Sequence, residues 1–196
     1  MSEDFKNLWG QSYEDYSDSL ELGINKKVFL HDIKFEEGQY GPQLYVEFHK
    51  GTRAVKQWFS IPNYEEVQSG RITNDRYKDL VTRFNSILKH IVCNFVTEDQ
   101  YQAHIKTYNS AKEFVIDMLT LIPANFQELE GELILIYNKK GYLSLPISMK
   151  ITGPFFSVGG RYTLKPSGLV MDSKPKEASS DGLTTPTPSP SDDLPF

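Results

Sequence analysis

The 196-residue sequence contains one cysteine, Cys93, and no long run of apolar residues. A single cysteine excludes a disulfide framework and a cysteine-based metal cluster, and it fits a reducing, intracellular setting. No apolar run approaches the ~18 residues that a membrane span needs. The first residues, Met1 to Asp4, are polar and acidic, so no signal peptide is visible. We therefore expect a protein of the cytoplasm with no membrane partner.

Patterns for catalysis and metal binding are scarce as well. The segment Gly159-Gly160-Arg161 lacks the surrounding GxxxxGK[ST] pattern of a phosphate-binding loop. No nucleophile motif is present, and no pair of carboxylates stands in a catalytic context. Ligand spacing is missing around all four histidines, which are His31, His49, His90 and His104. We therefore expect a protein that is not an enzyme and has no metal or cofactor.

The net charge of −5 is unevenly distributed along the chain. Residues 1–23 hold six acids and one lysine, and residues 172–196 hold five acids and two lysines. The middle, residues 24–171, is positive by three charges. Because fields act over about a Debye length, roughly 8–10 Å, a basic middle region can attract a polyanion despite the negative total.

Residues 27–61 have the two-residue period of β-strands. In "QLYVEFH", Leu44, Val46 and Phe48 alternate with Tyr45 and the other polar or amphipathic residues. Two turn signals, "EEGQYGP" and "KGT", separate this strand from its neighbours "KKVFLHDIKF" and "RAVKQWFSI". The pattern predicts a three-stranded antiparallel meander.

The period then changes to that of a helix and later returns to that of a strand. Apolar residues keep helical spacing through 76–96, and two shorter helices are predicted at about 98–108 and 111–121. Two further strands, 132–138 and 142–148, flank a turn at Lys139-Lys140-Gly141, and "ITGPFFSVGGRYTL" predicts one more hairpin.

This order of elements predicts a mainly β, α+β fold. Five strands with helices between the third and fourth match the OB-fold barrel, whose strand face and loops bind oligonucleotides and oligosaccharides. We divide the chain into an acidic arm at 1–23, a barrel domain at 24–171 with a helical insertion at about 61–130, and a tail at 172–196. The tail holds five Pro, five Ser and three Thr, so it is predicted to be disordered.

The tail finishes in five residues that differ from the rest of it. They are Asp192, Asp193, Leu194, Pro195 and Phe196. A solvated Phe adds nothing to folding, whereas its burial in an apolar pocket of a partner contributes ~2–3 kcal/mol, and the carboxylates can pair with basic residues around that pocket. The tip is thus predicted to bind partners, and a second possible target is a nucleic-acid groove on its own domain.

The tip "DDLPF" resembles the acidic end of bacterial and bacteriophage single-stranded DNA-binding proteins. The segments "QLYVEF" and "YNKKGYLSLP" look like strands of such proteins from tailed phages, and the long helical insertion favours the phage type. The resemblance implies an OB-fold that binds and protects single-stranded DNA in DNA replication, recombination and repair. It also implies recruitment of replication and recombination proteins through the tip, work in the bacterial host cytoplasm if phage-encoded, and a possible homo-oligomer.

The barrel segments carry the residue types that this function needs, which are aromatic rings for bases and cations for phosphates. Residues 24–60 and 131–166 together are positive by six charges, whereas the insertion at 61–130 is negative by three. Rings are selected where they alternate with core residues, and Phe155 is the alternative to Phe156. The predicted DNA-binding residues are Tyr45, Arg53, Lys56, Trp58, Tyr137, Lys139, Lys140, Tyr142 and Phe156.

Two other readings of the sequence remain open. The chain is alternatively an OB-fold adaptor for protein contacts, in which nucleic-acid binding is incidental. It is also consistent with an RNA-binding protein, because no residue that reads a 2′-hydroxyl group can be identified from the sequence.

Overall fold

The computed structural model describes residues 19–39, 41–138, 142–146 and 154–165. Most of the predicted arm lies outside these residues. So do the Lys139–Gly141 turn and the whole tail 172–196 with its tip, and their predicted roles stay predictions.

Three antiparallel strands follow one another at the start of the described chain. They are β1 at Gly23–Gly38, β2 at Gly41–Lys50 and β3 at Arg53–Ser60. Leu44, Val46 and Phe48 on β2 are fully buried, as their alternation predicts. The predicted meander is confirmed, with β1 beginning four residues earlier than the pattern indicates.

The helical insertion follows β3. Its helices are α1 at Glu65–Gln68, α2 at Asn74–Val92, α3 at Glu98–His104 and α4 at Ala111–Leu119, and a 3₁₀ turn spans Phe126–Glu128.

Capping side chains set where these helices begin. The hydroxyls of Thr73, Thr97 and Ser110 accept hydrogen bonds from the third backbone N–H of α2, α3 and α4, respectively. Thr97 and Gln100 form the reciprocal capping box that the sequence predicts. The apolar side of α2 packs on the barrel through four buried residues, Phe84, Leu88, Ile91 and Val92. The insertion therefore shares one core with the strands.

The remaining strands nearly close the sheet into a barrel. β4 at Glu130–Tyr137 pairs with the first half of β1, and β5 at Leu143–Ser144 pairs with the end of β4. The strand order is β3-β2-β1-β4-β5, and β3 approaches β5 across the remaining gap. β1 pairs with both β2 and β4, and the register shifts at Leu30/Asp32 and Asn25/Val28 bend it so that it can do so. The described fold is thus mainly β with an OB-like, nearly closed five-stranded barrel.

A short strand, β6 at Phe156–Val158, corrects the predicted last hairpin. It pairs with β4 rather than with the residues after Gly159-Gly160, since 161–165 form no strand. The side chain of Asn94, two residues after the end of α2, holds β6 in this place. Its Oδ1 accepts from Val158 N at 2.8 Å, and its Nδ2 donates to Phe156 O at 3.3 Å. Gly131 of β4 permits the close approach, because a Cβ there would lie 2.8 Å from the Phe156 ring.

Candidate nucleic-acid interface

The outward side of β1, β2 and β3 gathers three of the seven predicted DNA-binding residues that the structure describes, Tyr45, Lys56 and Trp58. Cross-strand register places Lys34, Tyr45 and Trp58 in one row. Asp32, Glu47 and Lys56 form the next row. We call this side the outer face and assign to it Asp32, Lys34, Glu36, Tyr45, Glu47, His49, Lys56 and Trp58.

Trp58 is the exposed aromatic residue of the outer face. Trp58 is 47% exposed, whereas Val55 and Phe59, which point inward from the same strand, are buried. The indole Nε1 donates to Glu36 Oε2 at 3.3 Å, and the ring centroid lies 5.1 Å from that of Tyr45. The indole is thus held from two sides while much of it stays in contact with solvent. This is the arrangement expected of a surface on which a base can stack.

Tyr45 has a different role from the predicted one. It is only 6% exposed, because Trp58 packs on its ring and Lys34 Nζ lies 4.9 Å from its centroid. The prediction that its ring stacks on a base is therefore wrong for this conformation. Tyr45 instead supports Trp58 from below.

Glu47 fixes the position of the Tyr45 hydroxyl. The hydroxyl donates a hydrogen bond to this carboxylate, and His49 Nε2 lies 2.6 Å from its other oxygen. Hydrogen bonds from Tyr45 and His49 lower the pKa of Glu47 to about 2. Burial, followed by the bond to Glu47, raises the pKa of Tyr45. The carboxylate and the neutral phenol consequently persist across the physiological pH range.

Two cations of the outer face already have acidic partners. Lys34 Nζ lies 2.8 Å from Asp32 and 3.3 Å from Glu36, and Lys56 Nζ lies 3.5 Å from Glu47. The hydrogen bond to Asp32 is the largest cause of the raised pKa of Lys34. The predicted excess of positive charge on the strands is therefore partly neutralised on the outer face itself.

Arg53 lies elsewhere than the other predicted strand residues. It pairs with Lys50 across the β2–β3 turn and follows the inward phase of Val55 and Phe59, but it is exposed at the end of the barrel. Neither Arg53 nor Lys50 makes an ion pair with another described residue. These two cations flank the outer face at one end.

The other described candidates lie at two separate places. Tyr137 pairs with Leu143 where β4 meets β5, and Tyr142 beside it is 69% exposed. Phe156 is fully buried, with its ring 4.8 Å from that of Phe48. The prediction of Phe156 as a DNA-binding residue is therefore wrong, and the same holds for the alternative Phe155, which is buried too.

A pair of stacked histidines on this side of the sheet escaped the sequence prediction. The rings of His31 and His49 lie 3.9 Å apart with an interplanar angle of 13°. The spacing of the histidines along the chain gives no indication of this stack, because the register shift of β1 at Leu30/Asp32 that brings the rings together leaves no signal in the sequence. In the described ranges, no group of three or more His, Cys, Asp or Glu side chains is arranged to hold a metal ion.

No described helix is both long and apolar enough to cross a membrane. Comparison of the chain with protein-family models, curated proteins and solved structures found no match.

Proposed function

We propose that this protein binds single-stranded DNA with little sequence preference through the outer face centred on Trp58. The observation that carries the proposal is the half-exposed indole of Trp58, supported by Tyr45 and flanked by Lys34 and Lys56 on an OB-like barrel. Base stacking on such a ring tolerates any sequence, because every base has a π-face.

Phosphates would bind the lysines of the outer face in place of their present acidic partners. The pairs of Lys34 with Asp32 and Glu36 are solvent-exposed on the lysine side, and exposed ion pairs contribute only about 0–1 kcal/mol each. Exchange of such a partner for a phosphate therefore costs little. Each phosphate contact releases counterions and adds about −0.7 to the log–log salt slope for a single strand.

The proposed role in the cell is protection of single strands during DNA replication, recombination and repair. The tip Asp192–Phe196 would recruit partner proteins of these processes, with its Phe ring in an apolar pocket and its carboxylates on basic residues of the partner. Strand binding of this kind requires no catalytic group and no cofactor. If the protein is phage-encoded, the bacterial cytoplasm is the site of action.

A fluorescence titration with poly-dT tests the proposal. In a Trp9→Phe background, Trp58 is the only tryptophan, so its quenching reports directly on the outer face. We expect quenching and micromolar or tighter binding at low salt. Trp58→Ala should weaken binding, measured by anisotropy of labelled dT, by ~1–3 kcal/mol, or about 5- to 150-fold. Ile116→Ala, which truncates an exposed apolar side chain on α4, is the control.

Other outcomes of the same titration select the competing readings. Absence of binding at low salt would support the adaptor reading, in which the face and the tail serve protein contacts. Preference for poly-U over poly-dT would support an RNA-binding protein.

A further inference from the structure

A cleft of about 600 Å³ opens next to the outer face, between the end of β3 and the helices α1 and α2. Apolar side chains, among them Ile61, Leu80 and Ile87, form part of its lining. Trp58 also lines the cleft, and it is the residue that joins the cleft to the outer face. The cleft is therefore continuous with the surface on which the proposed function rests.

Two arginines line this cleft without a charged partner among the described residues. Nη1 of Arg83 is shielded from solvent and has no hydrogen-bond acceptor in the described chain. Arg71 is exposed, and its guanidinium makes no ion pair there either. A buried donor without an acceptor is unfavourable, so an anionic oxygen that reached Arg83 would stabilise the site.

Two acids on α1, Glu65 and Glu66, also line the cleft and balance the arginines. Glu65 Oε2 accepts a hydrogen bond from Asn63 Nδ2 at 3.0 Å, so part of the hydrogen-bonding capacity of this carboxylate is already used. With no net charge, the cleft gains little from long-range attraction of anions. It favours a ligand that combines a flat apolar group with one anionic oxygen at hydrogen-bond distance.

We propose that the cleft holds a nucleotide of the same single strand that crosses the outer face. Its base lies against the apolar lining beside Trp58, and its phosphate bonds with Arg83 and Arg71. This inference rests on the proposed function and extends the path of the strand from the barrel onto the helical insertion.

A peptide with adjacent carboxylates is a poorer occupant than a nucleotide. Two neighbouring carboxylates, such as those of Asp192 and Asp193, would bring two negative charges close to Glu65 and Glu66. A phosphodiester brings one charge per nucleotide and has a base for the apolar lining. Continuity with Trp58 also favours the strand, since this residue belongs to both the outer face and the lining of the cleft.

Charge-neutral substitutions in the full-length chain test the assignment. Arg71→Gln and Arg83→Gln are compared with Lys78→Gln, which removes the same charge from an exposed position of α2 outside the cleft lining. Binding of oligo-dT of about 4 to about 16 nucleotides is measured against salt. Each arginine variant should weaken binding of the longer oligonucleotides about tenfold and reduce the salt slope by about 0.7. Lys78→Gln should change the affinity by less than about twofold.

Further variants keep the outcome interpretable. Arg71 is exposed, so Arg71→Gln should fold normally even if Arg83→Gln lowers the melting temperature. Arg83→Lys retains the charge and should recover part of the lost affinity. If Arg71→Gln matches Lys78→Gln while Trp58→Ala weakens binding, the cleft assignment is wrong and the proposed function stands. If Trp58→Ala instead binds oligo-dT as tightly as wild type does, the proposed function itself is overturned, whatever the arginine variants show.

A peptide experiment separates the other occupant. A synthetic peptide of residues 188–196 is titrated into the full-length chain and into Arg71→Gln. We expect no binding that depends on Arg71. Arg71-dependent peptide binding, together with unchanged oligo-dT affinity, would make the cleft a peptide site and overturn the nucleotide assignment.

Discussion

The outer face and the seam between α2 and β6 both contain aromatic and polar side chains, but they use them in opposite ways. On the outer face, Trp58 is half-exposed, and the exposed Lys34 pairs with two partly exposed acids. At the seam, the buried Asn94 and the mostly enclosed His90 bond to backbone groups of β6 and of the residue before it. Contacts with solvent-exposed charges can be exchanged for a ligand, whereas buried bonds to backbone hold the fold together. Of these two regions, the outer face therefore has the properties of a binding surface and the seam does not.

The largest expected difference between the two regions concerns Phe156 and Trp58. Phe156→Ala should lower the free energy of unfolding by about 3–5 kcal/mol, because it leaves a cavity between β4, β6 and Phe48. Trp58→Ala should lower it by about 1–2 kcal/mol, since about half of the residue is already solvated. Urea denaturation of both variants measures this contrast. Equal losses of stability in the two variants would show that Trp58 is a packing residue, as Phe156 is, and would contradict the distinction between the outer face and the seam.

The next effect is the pH dependence of stability through His90. Its Nε2 accepts from the backbone N–H groups of Phe155 and Phe156 at 3.3 and 3.2 Å, and burial lowers its pKa to about 4. As the pH falls, His90 in the unfolded chain binds a proton near pH 6.5, whereas His90 in the folded chain does so only near pH 4. Neutral His90 therefore contributes about 3 kcal/mol to the free energy of unfolding, and this contribution is complete above pH 6.5 and is lost as the pH falls toward 4.

Denaturation of wild type and His90→Gln between pH 7 and 4.5 tests this sign. The glutamine carbonyl can still accept from the two N–H groups but does not titrate, so the slope above pH 4.5 should flatten. Glu47, whose pKa is lowered to about 2, adds its own loss only below pH 4.5. An unchanged slope in His90→Gln would assign the pH dependence to other groups.

The smallest expected effect concerns the acids of the outer face. Glu36→Gln frees Lys34 from one of its two partners and removes a negative charge beside Trp58. We expect poly-dT affinity at low salt to rise about two- to threefold, with a stability change within about 0.5 kcal/mol. The control is Glu37→Gln, the next residue along β1, which follows the opposite phase and pairs with Lys112. A rise in both variants would indicate a net-charge effect without a local site.

Features that depend on neighbouring residues could be predicted from the sequence. The alternation of Leu44, Val46 and Phe48 and the capping box at Thr97 need only local geometry, and both are confirmed. The long stripe of α2 likewise predicts the helix that covers the barrel. Together these features give the order of strands and helices, and with it the OB-like barrel.

Features that depend on distant pairing could not be predicted. Tyr45 and Trp58 both follow the outward phase of their strands, and only their cross-strand register shows that one covers the other. Phe156 is paired with Asn94, 62 residues earlier, and this contact decides that its strand joins β4. The arginines of the cleft lie 13 and 25 residues after Trp58, within the helical insertion, so the sequence groups their charge with the acidic insertion and not with the binding surface.

The most direct test of the central claim is the affinity of Trp58→Ala for poly-dT at low salt, measured beside wild type and Ile116→Ala. The account predicts that loss of the exposed indole weakens binding about 5- to 150-fold, while the control matches wild type. An affinity of Trp58→Ala equal to that of wild type would contradict the claim that single-stranded DNA binds on the outer face.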